Sequence, residues 1–410
     1  VSASSVSAAS AAPADLPTAP VPVRTIALLS CAAFASAASM RVSDAMLPRL
    51  ASEFSQGISA VSAVVSLFAI AYGFMQFAYG PLGDRLGKLR VIAVATMAGL
   101  IGNLICALAP VFPLLLAGRV LSGATAAAVI PLSMAWIGDQ VHYSQRQTVL
   151  ARFLTGQMMG FIAGQFAGGW FSDTLGWRGA FFTLAAIFLT VGVVLWQRAR
   201  NEPRPAANPN GERRRPFSGV ANVVGRPWAR VVLATVLIEG FVFFGAYAFV
   251  PLYLHERFTL SLTNAGLIAA TLGLGGLAFS FSVRFLVQRL GETGLALGGG
   301  SLLAAGLALI ALAPSAPWVV PGCLACGLGF YMLHNTLQLN ATQMAPEHRG
   351  TAVSLFASML FLGQAGGVTV AGLLVPLMGV RSLLGCGVLA VFLVGLVFFL
   401  RLRNKQKVAA

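Results

Sequence analysis

Apolar residues run through this chain in long blocks divided by short polar breaks, and a membrane-spanning helix needs roughly 20 mostly apolar residues in succession. Such blocks lie near 25–47, 58–80, 91–109, 112–137, 150–170 and 180–198, and again near 231–254, 264–287, 293–313, 317–341, 352–376 and 382–401. Between the two sets the stretch 199–228 is rich in Arg, Pro and Asn. The pattern predicts an all-α integral membrane protein with twelve transmembrane helices in two six-helix bundles. The expected organisation is a cytoplasmic tail at 1–23, a first bundle at 24–198, a cytoplasmic linker at 199–228, a second bundle at 229–403 and a tail at 404–410. The third and fourth blocks are parted only around Pro110, the ninth and tenth only around Pro314 and Pro317. This matching short gap points to an internal duplication and a pseudo-symmetric pair of bundles.

Composition supports immersion in lipid. Of 410 residues, 57% are hydrophobic and 10% charged, against roughly a quarter charged in soluble domains. The net charge of +15 is distributed by topology. With twelve spans both termini share one side, and the loops of that side hold most of the Lys and Arg, including Arg85, Lys88, Arg90 and Arg213–Arg215. Only Arg49, Arg178, Arg257 and Arg381 fall to the other side. That asymmetry places the termini in the cytoplasm, and it accounts for the charge without nucleic acid. Cys31, Cys106, Cys323, Cys326 and Cys386 all sit in apolar blocks and read as small core residues, so no metal site is expected. No ATP-binding loop appears, nor any nucleophile–base set or cofactor loop, so neither an enzyme nor a bound cofactor is expected.

Four motifs carry chemistry. Gly80-Pro-Leu-Gly83-Asp84-Arg85-Leu-Gly87-Lys88-Leu-Arg90 follows the second block. Its glycines permit a tight turn between packed helices, and Asp84 can pair with a helix N-terminus or an arginine. Arg119-Val-Leu-Ser-Gly123 lies inside the fourth block, where an arginine is costly unless paired or hydrated. Gly156, Gly160, Gly164 and Gly168 repeat every four residues in the fifth, lining one helix face for close packing. Asp44-x-x-x-Pro48 closes the first.

With the two-times-six plan, these strings resemble the major facilitator superfamily, and in particular its bacterial twelve-helix drug:proton antiporters. The resemblance implies a gating role for Gly80, Gly83, Asp84, Arg85, Gly87, Lys88 and Arg90, and a role in proton coupling for Arg119, whose alternative is to brace helices through carbonyl hydrogen bonds. The fifth-block glycines resemble the exporter element of the family, with Gln165 where that element has Pro. The second-half counterpart of the gating loop retains only Arg289, Leu290, Gly291 and Glu292.

Charge within a span is a functional hypothesis by default. Arg41 and Asp44, three apart, can share a helix face as a structural pair or as a proton site. Glu239 lies deep in the seventh block, where burial disfavours the charged carboxylate. It can bind a proton, attract a cation, or simply bond a carbonyl as a neutral acid. Tyr247 and neighbouring phenylalanines could line a broad apolar cavity. Gln157, Gln165 and Asn335 are candidates to line the path. His334 reads as structural.

The chain is therefore expected to be a secondary transporter working by alternating access, driven by the proton gradient, exporting small hydrophobic or cationic compounds. The alternative is an importer or facilitator of a metabolite such as a sugar or organic acid. The expected partners are substrate, protons and membrane lipid, the expected state is a monomer, and the expected location is a bacterial cytoplasmic membrane.

Overall fold

The computed structural model describes residues 22–202 and 219–409. The tail up to residue 21 and the linker core with Arg213–Arg215 lie outside the described residues. Everything described is helix or short turn. We number the long helices α1 (Val23–Glu53), α2 (Ile58–Leu86), α3 (Lys88–Leu108), α4 (Phe112–Gln140), α5 (Tyr143–Asp173), α6 (Trp177–Arg200), α7 (Pro227–Phe258), α8 (Leu262–Leu312), α9 (Ala316–Gln343) and α10 (Pro346–Lys407). All but α5 are long and apolar enough to cross a membrane, making nine such helices among the described residues rather than twelve.

The difference has two causes. The first is that α5, with Gln157, Gln165 and repeated glycines through its uncharged stretch, is too polar on average to qualify by composition. The second is that α8 and α10 are each continuous in hydrogen bonding across a non-helical glycine, Gly291 (φ 62°) and Gly379 (φ 76°). A left-handed φ is open to glycine without steric cost. The chain reverses at both places. On α9, Gly327 lies against Leu272 and Gly275, while two residues later Gly329 lies against Gly299 and Leu303. A straight helix would hold Gly275 and Gly299 about 36 Å apart. In α10, Gly367 packs on Gly245 and Gly387 on Ala246.

The segment 404–410, expected as a tail, continues the last helix to Ala409. There Gln406 bonds Glu292 at 3.2 Å and Lys405 lies over the Trp228 ring at 4.4 Å. The two ends of the molecule differ in charge. At a basic end the first part gathers Lys88, Arg90 and Glu202, and the second gathers Arg226, Glu347, Glu292 and Lys405. The opposite, charge-poor end holds Glu53 with Trp177 and Arg178, and Arg257 with Ala311 and Ala313.

The fifth-block glycines allow two helices to pack closely. Gly156, Gly160, Gly164 and Gly168 lie on Ser30, Phe34, Ala38 and Val42 of α1 in turn. Both series step by four, so one face of α5 meets one face of α1 backbone to backbone.

Candidate functional site

The helix of α1 stops at Arg41, and after a turn a single 3-10 turn spans Asp44–Met46 before helix resumes at Leu47. Pro48, in the first turn of the resumed segment, lacks an N–H and disfavours helix in the residue before it. At this break Arg41 Nη1 lies 3.3 Å from Asp44 Oδ2, and Asp44 is fully buried, its Oδ1 without a partner. The Arg41 guanidinium lies 4.4 Å from the Phe244 ring of α7 and 5.6 Å from Phe161 of α5. Arg41 therefore reaches from the N-terminal part (22–202) to the C-terminal part (219–409).

Arg119 is also fully buried. Its Nε donates to the Val64 carbonyl at 3.0 Å and its Nη1 to the Ser39 carbonyl at 2.8 Å. The Phe68 ring covers it at 4.3 Å. Small neighbours make this possible, since Gly123 rests on the Phe68 backbone. In this geometry Arg119 braces α1 and α2 through their carbonyls.

In the C-terminal part, Glu239 Oε2 lies 2.9 Å from His334 Nδ1 of α9, and Glu239 is buried. His334 reads as an isolated histidine in sequence, and only the fold reveals its partner. Its ring stacks on Phe330 at 4.9 Å and approaches Phe356 at 5.1 Å. Directly after Glu239 the helix widens into a π turn, Gly240–Phe244. Such turns are frequent at functional sites. Gly240 sits on the Leu360 carbonyl and Gly363 on Leu237, so α10 backs the widened turn. Phe243, Phe244, Phe330 and Tyr331 form a continuous run of rings.

The remaining candidates scatter. The Tyr247 hydroxyl donates to the Ala269 carbonyl at 2.7 Å, tying α7 to α8. Gln165 is buried with its Nε2 unpartnered. Gln157 and Asn335 are half-buried, and neither side chain makes a hydrogen bond among the described residues.

At the basic end the geometry departs from the expected tight turn. Gly80 and Gly83 lie inside α2, which runs on through Pro81, and Gly83 faces Leu132. Only Gly87 makes the turn, with φ 92°. Asp84 is exposed and stands 4.0 Å from Lys88, a loose contact. Lys88 instead bonds Asp139 of α4 closely. Arg85 is exposed. Arg90 donates to the carbonyls of Ala199 at 3.2 Å and Glu202 at 2.7 Å, while Trp136 Nε1 donates to the Glu202 carboxylate at 2.7 Å. Neither Asp139 nor Glu202 belongs to the recognisable string, so both escape a sequence reading.

The two parts meet from the middle of the molecule to the charge-poor end. Ser59 Oγ donates to the Gly372 carbonyl at 2.7 Å. Asp173 Oδ2 accepts from the Thr263 amide at 2.7 Å and its hydroxyl at 2.6 Å, and Gly169 lies against Leu262. Midway, Ser358 Oγ donates to the Gly73 carbonyl at 2.9 Å, and the Tyr72 and Phe361 rings are 4.1 Å apart. Toward the basic end Gly80 faces nothing within 4 Å and Phe74 is exposed.

The sequence profile of the Major Facilitator Superfamily matches residues 29–368. The Bacillus subtilis protein YwfA, an uncharacterized MFS-type transporter, is 26% identical over 335 residues, covering 80% of each chain. The multidrug export protein EmrB of Haemophilus influenzae is 28% identical over 169 residues, 41% of this chain and 33% of that protein. Among solved structures, a bacterial homolog of the human lysosomal transporter Spinster, inward-facing and unoccupied, shares the fold with a TM-score of 0.74 and 18% identity, covering 95% of this chain and 98% of that one.

Proposed function

Because this chain belongs to the Major Facilitator Superfamily, and so performs secondary active transport of small molecules by alternating access, we propose that it is a proton-coupled exporter of small, largely hydrophobic compounds. The proposed architecture counts α8 and α10 as two spans each, giving twelve with α5, in two six-helix bundles that rock about a central site. The proposed location is a bacterial cytoplasmic membrane with both termini in the cytoplasm, where the positive-inside rule puts the basic end. The state described here is then closed to the outside and open to the cytoplasm.

The observation that carries proton coupling is the buried Glu239–His334 pair across α7 and α9. A proton on Glu239 turns an acceptor into a donor and removes one charge beside the π turn. Coupling requires that proton and substrate each change the other's affinity or the allowed transitions. In this reading Arg41 and Asp44 form the matching charged pair on the N-terminal bundle, Arg119 holds that bundle rigid, and Lys88 with Asp139 secures the gating loop. Export is supported by the resemblance to EmrB and by the α5 glycines. Import of a metabolite is the second reading, favoured by Gln165 in place of the exporter element's proline.

The test is proton flux in sealed proteoliposomes with an internal pH dye, challenged with a panel of compounds. Substrate-triggered proton release from acid-loaded vesicles, lost in Glu239→Gln, is the expected result. Labelled uptake with no proton movement would remove the coupling and leave Glu239 as structure.

A further inference from the structure

Among the described residues, four acidic or basic side chains of the Asp, Glu, Lys and Arg types are buried between the helices, and they differ in what they face. Asp44 is 0% exposed and Glu239 1%, each already bonded to a basic side chain. Arg119 is 0% exposed, bonded to two carbonyls and covered by Phe68. Arg41 keeps 8% of its side chain exposed. Its guanidinium also lies against the opposite part, over Phe244.

A guanidinium has five N–H donors in a planar fork. Among the described residues Arg41 uses one nitrogen, on Asp44 at 3.3 Å. That is longer than the about 2.7–2.9 Å of a good charge-assisted bond. The rest of the fork makes no hydrogen bond among the described residues, and the rings of Phe161 and Phe244 lie near it, Phe244 continuing into the Phe330–Tyr331 run. The accessible charge at the junction of the two parts is therefore positive and set in an aromatic wall. Each buried carboxylate is bonded through one oxygen to a basic side chain, Asp44 to Arg41 and Glu239 to His334.

We infer that Arg41 recognises an anionic group of the transported compound, a carboxylate or sulfonate carried on a flat apolar body. This rests on the transport reading above and narrows it, replacing the cationic substrates expected from sequence with organic anions.

Three probes of one shape and different charge test it: 2-naphthoate, 2-naphthamide and 2-naphthylmethylammonium. Binding is read as thermal stabilisation of the purified full chain during titration. Naphthoate is expected to bind about tenfold or more tightly than the amide, the usual effect of a charge-assisted bond. Arg41→Gln should erase that preference and Arg41→Lys keep part of it. Equal or absent binding of the three, tightest binding of the ammonium, or a preference unchanged in Arg41→Gln overturns the inference. Should Arg41→Gln leave Asp44 unpaired and fail to fold, Arg41→Gln/Asp44→Asn removes both charges and takes its place. Counterflow of the same probes in proteoliposomes separates the two claims. A charge preference in binding without flux upholds the anion site and removes the transport reading. Flux of the ammonium without the naphthoate upholds transport and overturns the anion site.

Discussion

His334 Nδ1 lies 2.9 Å from Glu239 Oε2 although the residues are 95 positions apart. The bond joins α9 to α7 at the residue where α7 widens into its π turn. Glu239 Oε1 has no partner, so the pair is the main attachment of that carboxyl group. His334→Leu should lower stability by about 2 kcal/mol, because it strands a buried acceptor. Adding Glu239→Leu to the same chain should recover most of the loss, since two apolar groups of similar shape leave nothing unpaired. Thermal melts of the two single variants and the double variant in detergent measure this. An additive cycle would mean the two side chains do not interact.

The α1–α5 contact predicts a sharp contrast between glycines. A Cβ at Gly160, Gly164 or Gly168 would collide with backbone atoms of Phe34, Ala38 or Val42. Backbone cannot step aside as a flexible side chain can, and overpacking costs about 1–3 kcal/mol or more. Gly164→Ala should therefore melt several degrees lower or fail to accumulate. Gly80→Ala, where nothing lies within 4 Å, should melt within about a degree of the parent, helped by the better helix propensity of alanine.

Lys88 and Asp139 predict an effect on transport without one on stability. Both side chains are partly exposed, and such pairs contribute about 0–1 kcal/mol. Asp139→Asn should leave the melting curve nearly unchanged but slow exchange in vesicles several-fold. The exchange Lys88→Asp/Asp139→Lys should restore part of the rate. Asp84→Asn should have the smaller effect, because Asp84 is exposed and only 4.0 Å contact links it to Lys88. A larger loss in Asp84→Asn would show that Asp84 acts in a state other than this one.

The charge-poor end predicts a reversible lock. A Cβ at Gly372 would lie 3.6 Å from the Ser59 Cα, beside the Ser59 hydroxyl's bond to the Gly372 carbonyl at 2.7 Å, so cysteines at these two positions come within disulfide reach once the Ser62 side chain, which that Cβ would also meet, gives way. Oxidised Ser59→Cys/Gly372→Cys protein should stop transporting, and reductant should restore it. Full activity in the oxidised state, with the crosslink verified by mass, would mean that this end does not part during the cycle.

The periodic features of the chain are legible without a structure. Apolar blocks mark the helices, and glycines four apart mark a close-packed face. Both are local patterns that depend on one helix at a time. Contacts between distant helices are not legible in this way. His334 is a lone histidine until α7 and α9 come together, and Asp139 outranks Asp84 as the partner of Lys88 only because α4 ends beside α3. Nor is Gly80 distinguishable from Gly87 by residue type. One continues a helix and the other turns it at φ 92°, and the backbone beyond the motif decides between them. The nine-against-twelve count has another origin, since helical hydrogen bonding runs on across Gly291 and Gly379 at places where the residues Arg289, Glu292 and Arg381 divide the apolar blocks.

The contact between Gly169 and Leu262 can also be considered mechanically. It is backbone against backbone and lies beside the Asp173–Thr263 bonds, so it has little compliance and acts as a fulcrum near one tip of a long bar. From Gly169 to Tyr143 the helix extends about 39 Å at 1.5 Å per residue. Turning that bar by about 10° sweeps its far tip through about 7 Å, a helix radius or more. The α1–α5 glycine contact makes the bar two helices thick. A small tilt about this contact is therefore geared up into a wide displacement at the basic end, while opening of the charge-poor end has to break the contact itself.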